Sequence, residues 1–222
     1  MPPDRGLFLE KTWRLHPDLC DFTSEVFYDG RLEPEEHLAI QRVDADGTIA
    51  DGTGPRRLEV PTVGADNESP EEAEAVAELA RSIVESGATW VDAEGAIHPI
   101  DWADVLIVAP YNAQVGEIRR RLPEAARVGT VDKFQGQQAP ISIYSMTTSS
   151  PELAPRGMDF LYSRHRLNVA TSRARCIAIL AASPDLFRIP ARTPEQMRLA
   201  NAFCRFLEMA EAAAPAPSLR PG

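Results

Sequence analysis

The chain has 222 residues, an apolar fraction of 44%, a charged fraction of 25% and a formal net charge of -10. These values fit one globular domain with a sizeable core, and the negative charge excludes a protein that coats nucleic acid by bulk attraction. No apolar run approaches the roughly 20 residues needed to cross a bilayer, and Met1-Pro2-Pro3-Asp4-Arg5 lacks the apolar stretch of a signal peptide.

In chain order, Gly6 to Glu10 reads as a short extended lead-in. Pro17 opens a helix running to about Tyr28, since proline is tolerated in a first helical turn, and Asp29-Gly30 ends it. Residues 31–57 are polar and turn-rich, with Asp46-Gly47 and Asp51-Gly52, and predict an irregular insertion with room for a hairpin. Leu58 to Val63 is the next expected strand.

Ser69-Pro70-Glu71-Glu72 carries a capping serine, a proline at the first helical position and a glutamate three residues after the serine. Ala73, Val76, Ala80 and Ile83 recur at helical spacing until Gly87. The short, continuous apolar run Asp104-Val105-Leu106-Ile107-Val108-Ala109-Pro110 predicts a strand covered on both faces, and a helix should begin near Asn112. Val128–Val131 and Ile141–Met146 are further strands, separated by a polar turn with Gly136 in it. Thr148 to Met158 reads as a loop, Arg164 to Ala174 as a helix and Cys176 to Ala182 as a strand. Pro194 to Ala212 has the pattern of an amphipathic helix, and residues 213–222 read as a disordered Ala/Pro-rich tail. Strands alternating with helices imply an α/β fold with a mainly parallel sheet, filling one domain over residues 1–212.

Charge is distributed unevenly. Acidic residues crowd Asp66 to Glu78, whereas residues 156–175 contain Arg156, Arg164, Arg166, Arg173 and Arg175 with only Asp159 opposing. Lys11 and Lys133 are the only lysines, so arginine supplies nearly all the cationic groups, and its rigid fork suits bidentate phosphate recognition. Cys20, Cys176 and Cys204 are odd in number and far apart; they read as reduced thiols of a cytoplasmic protein with no membrane association, not as a disulfide frame or a zinc site. Cys20 lies four residues from His16, which admits a nucleophile and base, although no orienting group accompanies them.

Four patches adjoin strand ends or helix starts: Trp13-Arg14-Leu15-His16-Pro17, Val108-Ala109-Pro110-Tyr111-Asn112-Ala113-Gln114, Thr130-Val131-Asp132-Lys133-Phe134-Gln135-Gly136, and Leu167-Asn168-Val169-Ala170-Thr171-Ser172-Arg173-Ala174-Arg175. Each has an ordinary structural reading when taken singly. Together and in this order they resemble the aromatic-Arg-x-His-Pro element and motifs IV, V and VI of superfamily 1 helicases. The resemblance is to the second RecA-like domain, in the branch that includes the nonsense-mediated-decay helicase and related DNA helicases. Residues 135–146, with Arg156-Gly157-Met158-Asp159-Phe160-Leu161-Tyr162, are closer in wording to bacterial fusions of a RecB-like nuclease with such a helicase.

The resemblance implies a P-loop NTPase of RecA-like fold that couples ATP hydrolysis to 5′-to-3′ movement on single-stranded DNA, with RNA also possible, in DNA repair or replication. Arg173 takes the place of the arginine finger and Arg14 of a second γ-phosphate contact. Trp13 takes the position that stacks on adenine, and Gln135, Gly136 and Gln138 lie where motif V approaches the nucleotide. Pro110, Tyr111, Asn112, Thr130 and Val131 fall along the nucleic-acid track. Two departures stand out: Gln138 replaces the usual glutamate, and no Gly-x-x-x-x-Gly-Lys-Ser/Thr occurs in the chain. ATP and Mg2+ ligation are therefore expected to be completed by a first RecA-like domain of a longer polypeptide, which is also where a fused RecB-like nuclease is expected. A non-catalytic RecA-like module binding nucleic acid or protein is the alternative.

Overall fold

The computed structural model describes residues 9–134, 136–189, 191 and 193–212. The expected disordered tail, residues 213–222, lies outside the described residues, as do Gln135 and residues 6–8 of the lead-in. The elements in order are β1 (Lys11–Thr12), α1 (Pro17–Phe27), β2 (Glu33–Pro34), β3 (Arg42–Asp44), β4 (Gly54–Glu59), α2 (Pro70–Glu85), β5 (Thr89–Val91) and β6 (Ile97–Pro99). Then follow β7 (Val105–Ala109), α3 (Asn112–Arg119), β8 (Arg127–Thr130), β9 (Ala139–Ser145), α4 (Met158–Leu161), α5 (Arg164–Ser172), β10 (Ala174–Ala182) and α6 (Pro194–Ala212).

The main sheet has the order β4-β10-β9-β7-β8 and every pairing in it is parallel. Parallel strands need helical crossovers that cover both faces, so every residue of β7 and β9 is buried. The twofold side-chain alternation then divides these strands between two cores. Val105, Ile107, Ile141, Ile143, Ile177 and Ile179 pack with Ala73, Val76, Ala80 and Ile83 of α2. Leu106, Val108, Tyr144 and Leu180 face the opposite way, toward Leu19, Phe22, Leu167, Phe203 and Phe206 from α1, α5 and α6. This is the α/β arrangement, a parallel sheet flanked by helices, that the alternation of strands and helices implies.

Helix boundaries follow local chemistry. In α1 the His16 ring accepts the Asp18 N–H at 3.2 Å, and the chain leaves through Asp29 (φ 55°) and Gly30 (φ 73°). In α2 the Ser69 hydroxyl accepts the Glu72 N–H at 3.1 Å, with Pro70 in the first turn.

The structure corrects the expected irregular insertion at 31–57. Its last residues, Gly54 to Arg57, are the start of β4, the outer strand of the main sheet beside β10. The strand therefore begins four positions earlier than the apolar pattern indicates, and Val63, at 98% exposure, stands clear of it. A Gly-Pro-Arg-Arg strand is tolerable because it lies at an edge, where proline and charge are tolerated. Arg56 is buried and donates to the carbonyls of Pro55 and Asp51. The rest of the stretch is also structured: β3 joins β5 and β6 in a small antiparallel sheet that the sequence reading does not anticipate.

The turn between β8 and β9 crosses the full depth of the sheet. Thr130 ends β8 beside Ala109, at the carboxyl edge, whereas Ala139 opens β9 beside Ala174, at the amino edge. Between them residues 131–134 form a single 3-10 turn, and Phe134 is buried. That turn lies on Gly129: a Cβ there would sit 2.5 Å from Lys133 Cδ and 3.2 Å from the Phe134 ring. Lys133 can move its end, but its own Cβ at 3.2 Å and the packed ring cannot retreat cheaply. Gly129→Ala is expected to lower stability by about 1–3 kcal/mol, seen as a fall of several degrees in thermal denaturation; an unchanged midpoint would show that the turn is not held against the strand.

Candidate functional site

Three loops meet at the amino edge of the sheet. Gln138 precedes β9, Arg173 precedes β10, and the Thr12–His16 segment is tied beside them by the His16 N–H donating to the Arg175 carbonyl at 2.9 Å. Arg14 spans the junction, with Nε donating to Gln138 Oε1 at 2.8 Å and Nη1 to the Ser172 carbonyl at 3.1 Å. The amide at 138 thus keeps a hydrogen bond to Arg14 without a carboxylate charge. From behind, the Gln41 side chain donates to the Arg14 carbonyl at 3.0 Å, and His16 Nε2 lies 3.3 Å from the Ala39 carbonyl. The 36–41 turn, inside the stretch expected to be irregular, therefore fixes the Arg14 backbone.

These residues line an open cavity of about 830 Å³, whose walls include Trp13, Arg14, Gln138, Ser172 and Arg173. Trp13 is 72% exposed and, among the described residues, makes a tilted contact to His37 at 6.0 Å between ring centroids. Arg173 is half-buried, its Nε is shut off from solvent without an acceptor, and it has no ion-pair partner among the described residues. A buried guanidinium N–H left unpaired is a costly arrangement that an anionic ligand would relieve. Arg14 is under the same pressure: burial, then the Arg173 and Arg175 guanidiniums, lower its pKa. The cavity walls contain no carboxylate among the described residues, so this donor set does not fit magnesium.

Helix α5 ends at Ser172, not Ala174, so Arg173 is its C-cap residue, still in helical conformation, while Arg175 already belongs to β10. Arg173 lines the cavity, while Arg175 lies 5.5 Å from the Trp90 ring. Gly136, exposed with φ 80°, makes the turn that brings the chain to Gln138, a backbone geometry that disfavours a side chain.

The five residues assigned to a nucleic-acid track sit at the opposite, carboxyl edge. Asn112 is exposed at the start of α3, and Thr130 is half-buried. Pro110, Tyr111 and Val131 are buried, Tyr111 to 7% exposure against Phe160, so their side chains present no open stacking face.

Glu72, which the sequence shows only as part of a helix start, organises this edge. Its Oε1 accepts from the Ser145 hydroxyl at 2.6 Å and the Thr147 N–H at 2.7 Å, while Gln114 links Ser145 to the Ser69 N–H. Thr147 is thereby held at φ 73° where the chain leaves β9. Glu72 is fully buried, Oε2 has no partner among the described residues, and burial pushes its pKa up to about 7.

The Cys20–His16 pair does not make a nucleophile and base. Both are buried: the Cys20 thiol faces the Leu32 carbonyl and burial pushes its pKa up to about 11, while His16 is engaged by the Asp18 N–H and the Ala39 carbonyl. All three cysteines are free thiols. Among the described residues no cluster of three His, Cys, Asp or Glu side chains is placed to hold a metal, and no helix is long and apolar enough to cross a membrane.

A family model described as "AAA domain" matches residues 3–185. "DNA polymerase alpha-associated DNA helicase A" of Schizosaccharomyces pombe is 28% identical over 189 residues, covering 76% of this chain and 26% of that protein. "Regulator of nonsense transcripts 1 homolog" of Arabidopsis thaliana is 29% identical over 188 residues, covering 80% and 14%. "ATP-dependent helicase upf1" of Schizosaccharomyces pombe is 26% identical over 182 residues, covering 78% and 19%. The chain thus spans about a quarter or less of the length of these relatives.

Proposed function

The chain belongs to the AAA domain family and is a helicase domain of superfamily 1, and from that premise we propose that it is the second RecA-like domain of an ATP-dependent DNA helicase. The observation that carries this reading is the convergence of Trp13, Arg14, Gln138 and the unpartnered Arg173 on one cavity. ATP is the ligand that chemistry fits. Trp13 supplies an aromatic face for adenine, Arg14 and Arg173 supply charge for the γ-phosphate, and Gln138 orients Arg14. In sequence Gln135 and Gly136 hold the motif V position, which the resemblance puts near the nucleotide; Gln135 lies outside the described residues.

ATP supplies the free energy released on phosphoryl transfer to water; this domain's residues position the charge that offsets its development. Mg2+ and the phosphate-cradling loop belong to a facing first RecA-like domain, since the cavity walls described here carry no carboxylate. Asn112, Thr130 and the backbone around Pro110, Tyr111 and Val131 position single-stranded DNA through phosphate and sugar without reading sequence. Movement 5′ to 3′ follows from the branch the motifs resemble, and a RecB-like nuclease is the fused partner their wording implies.

Two measurements test the reading. The 222-residue chain alone should turn over no ATP. In the full-length parent, Trp13→Ala should raise the KM for ATP about ten-fold, in line with the loss of one base–aromatic stack, while kcat under single-stranded DNA stimulation changes little. An ATPase indifferent to both Trp13 and single-stranded DNA would favour the alternative of a non-catalytic module.

A further inference from the structure

Away from the nucleotide cavity, one aromatic ring holds two cations. Arg156 Cζ lies 3.9 Å from the Phe160 ring centroid and Arg166 Cζ lies 4.0 Å from it. Two guanidiniums cannot share one face at those distances, so the ring is sandwiched between them. Among the described residues neither guanidinium has a hydrogen-bond or ion-pair partner. In a chain with 33 acidic residues against 23 basic ones, an unpaired cation pair is not what composition alone supplies.

The local framework also disfavours this charge. Arg166 lies in the first turn of α5 with Arg164, and no acidic residue occupies that turn. Cations at a helix N-terminus oppose the macrodipole by a few tenths of a kcal/mol to about 1 kcal/mol each. Cation–π contact offsets part of this cost, but it does not use up the guanidinium N–H donors, which have no acceptor among the described residues. Those donors are the ones that make bidentate contacts to phosphate oxygens.

The position of the cluster says which phosphates. The Phe160 ring is 5.4 Å from the Tyr111 ring, and Tyr111 immediately precedes exposed Asn112 at the start of α3. The arginines therefore stand beside the carboxyl edge, on the same side as the proposed track, and neither lines the Arg14–Arg173 cavity. Arg166 is fixed by the first turn of α5, where the Ser163 hydroxyl accepts its N–H at 3.4 Å. Phe160 is fixed by its neighbours Leu161 and Tyr162, both buried, with the Tyr162 hydroxyl donating to the Leu186 carbonyl at 2.6 Å.

We infer that Arg156 and Arg166, braced on Phe160, form a backbone-phosphate subsite that extends the nucleic-acid track beyond Asn112. The inference rests on the nucleic-acid reading of the carboxyl edge. The subsite binds phosphate diester groups without base preference, and its contribution is salt-dependent.

The test is fluorescence anisotropy of the full-length parent with a labelled oligothymidylate across a salt series. The double variant Arg156→Gln/Arg166→Gln should weaken binding on the order of ten-fold and make the log–log salt slope shallower by about 0.7 per lost phosphate contact. Arg156→Lys/Arg166→Lys, which preserves charge, should keep most of the slope. Thermal midpoints compare the folding of the variants, and the lysine pair guards against a misfolded glutamine pair. Unchanged affinity and slope in a folded glutamine variant would overturn the subsite while leaving the track intact. No oligothymidylate binding by the wild type would remove the nucleic-acid reading and the subsite with it. Tighter capture of polyglutamate than of the oligonucleotide would overturn the subsite in favour of an acidic protein segment.

Discussion

Replacing Arg173 by alanine in the full-length parent should lower DNA-stimulated ATP turnover by about 10³- to 10⁵-fold, the range associated with an arginine finger. The size of the effect follows from what the side chain does not do in the resting domain. Its guanidinium has no ion-pair partner among the described residues and its Nε has no acceptor, so truncation removes no hydrogen bond from the fold. Its backbone stays tied through the Ala139 N–H donating to the Arg173 carbonyl at 3.0 Å. Stability should therefore change little while the charge proposed to face the nucleotide is lost. Lysine should not rescue, because a compact ammonium cannot reproduce the planar fork. Arg14 differs in kind, since its removal also breaks the contacts to Gln138 and the Ser172 carbonyl. A parent enzyme with Arg173→Ala and unaltered turnover would remove Arg173 from this role.

The second large effect is on stability and depends on pH. Glu72 ionises near its ordinary 4.5 when unfolded but at about 7 in the native protein, because burial outweighs the hydrogen bonds from Ser145 and Thr147. The folded state therefore holds the proton more tightly than the unfolded state. Its contribution is fully present below about pH 4.5 and is lost as pH rises through about 7, a swing on the order of 3 kcal/mol. Chemical denaturation of the wild type and Glu72→Gln should diverge over that window, with the wild type losing stability relative to the glutamine variant as pH rises. Parallel pH profiles would mean that Glu72 titrates as an ordinary carboxyl. The same proton also bears on the carboxyl edge, because Glu72 holds Thr147 in its left-handed conformation.

Much of the fold can be read before the structure is seen, for reasons that differ by element. The Ser69-Pro70 start of α2 and the Val105–Ala109 strand are local signals: a cap and a buried apolar run mean much the same thing in most contexts. By contrast, β4 carries Gly54-Pro55-Arg56-Arg57, whose strand character comes from pairing with β10 at a sheet edge and not from its own side chains. The β5–β6 hairpin is too short for periodicity to emerge. At the site, motif order supplied Trp13, Arg14, Gln138 and Arg173, and the fold brings all four to one cavity. What motif order lacks is the amino-edge position of that cavity, the burial of Tyr111, the Glu72 network and the Arg156–Phe160–Arg166 sandwich. Each of these depends on residues far apart in the chain.

The connection from Thr130 to Ala139 has a consequence for how the chain tolerates change. It joins opposite edges of the sheet and is pinned midway by buried Phe134 against Gly129 and by Lys133 Nζ donating to the Val128 carbonyl at 3.2 Å. Surface connections usually absorb insertions and deletions because their length has slack. This one behaves as a strut cut to measure, so an added or deleted residue would have to displace an anchor at one edge or the other. A displacement of Thr130 therefore meets the Lys133 and Phe134 anchors first, in a connection that continues to Gln138 and, through it, to Arg14.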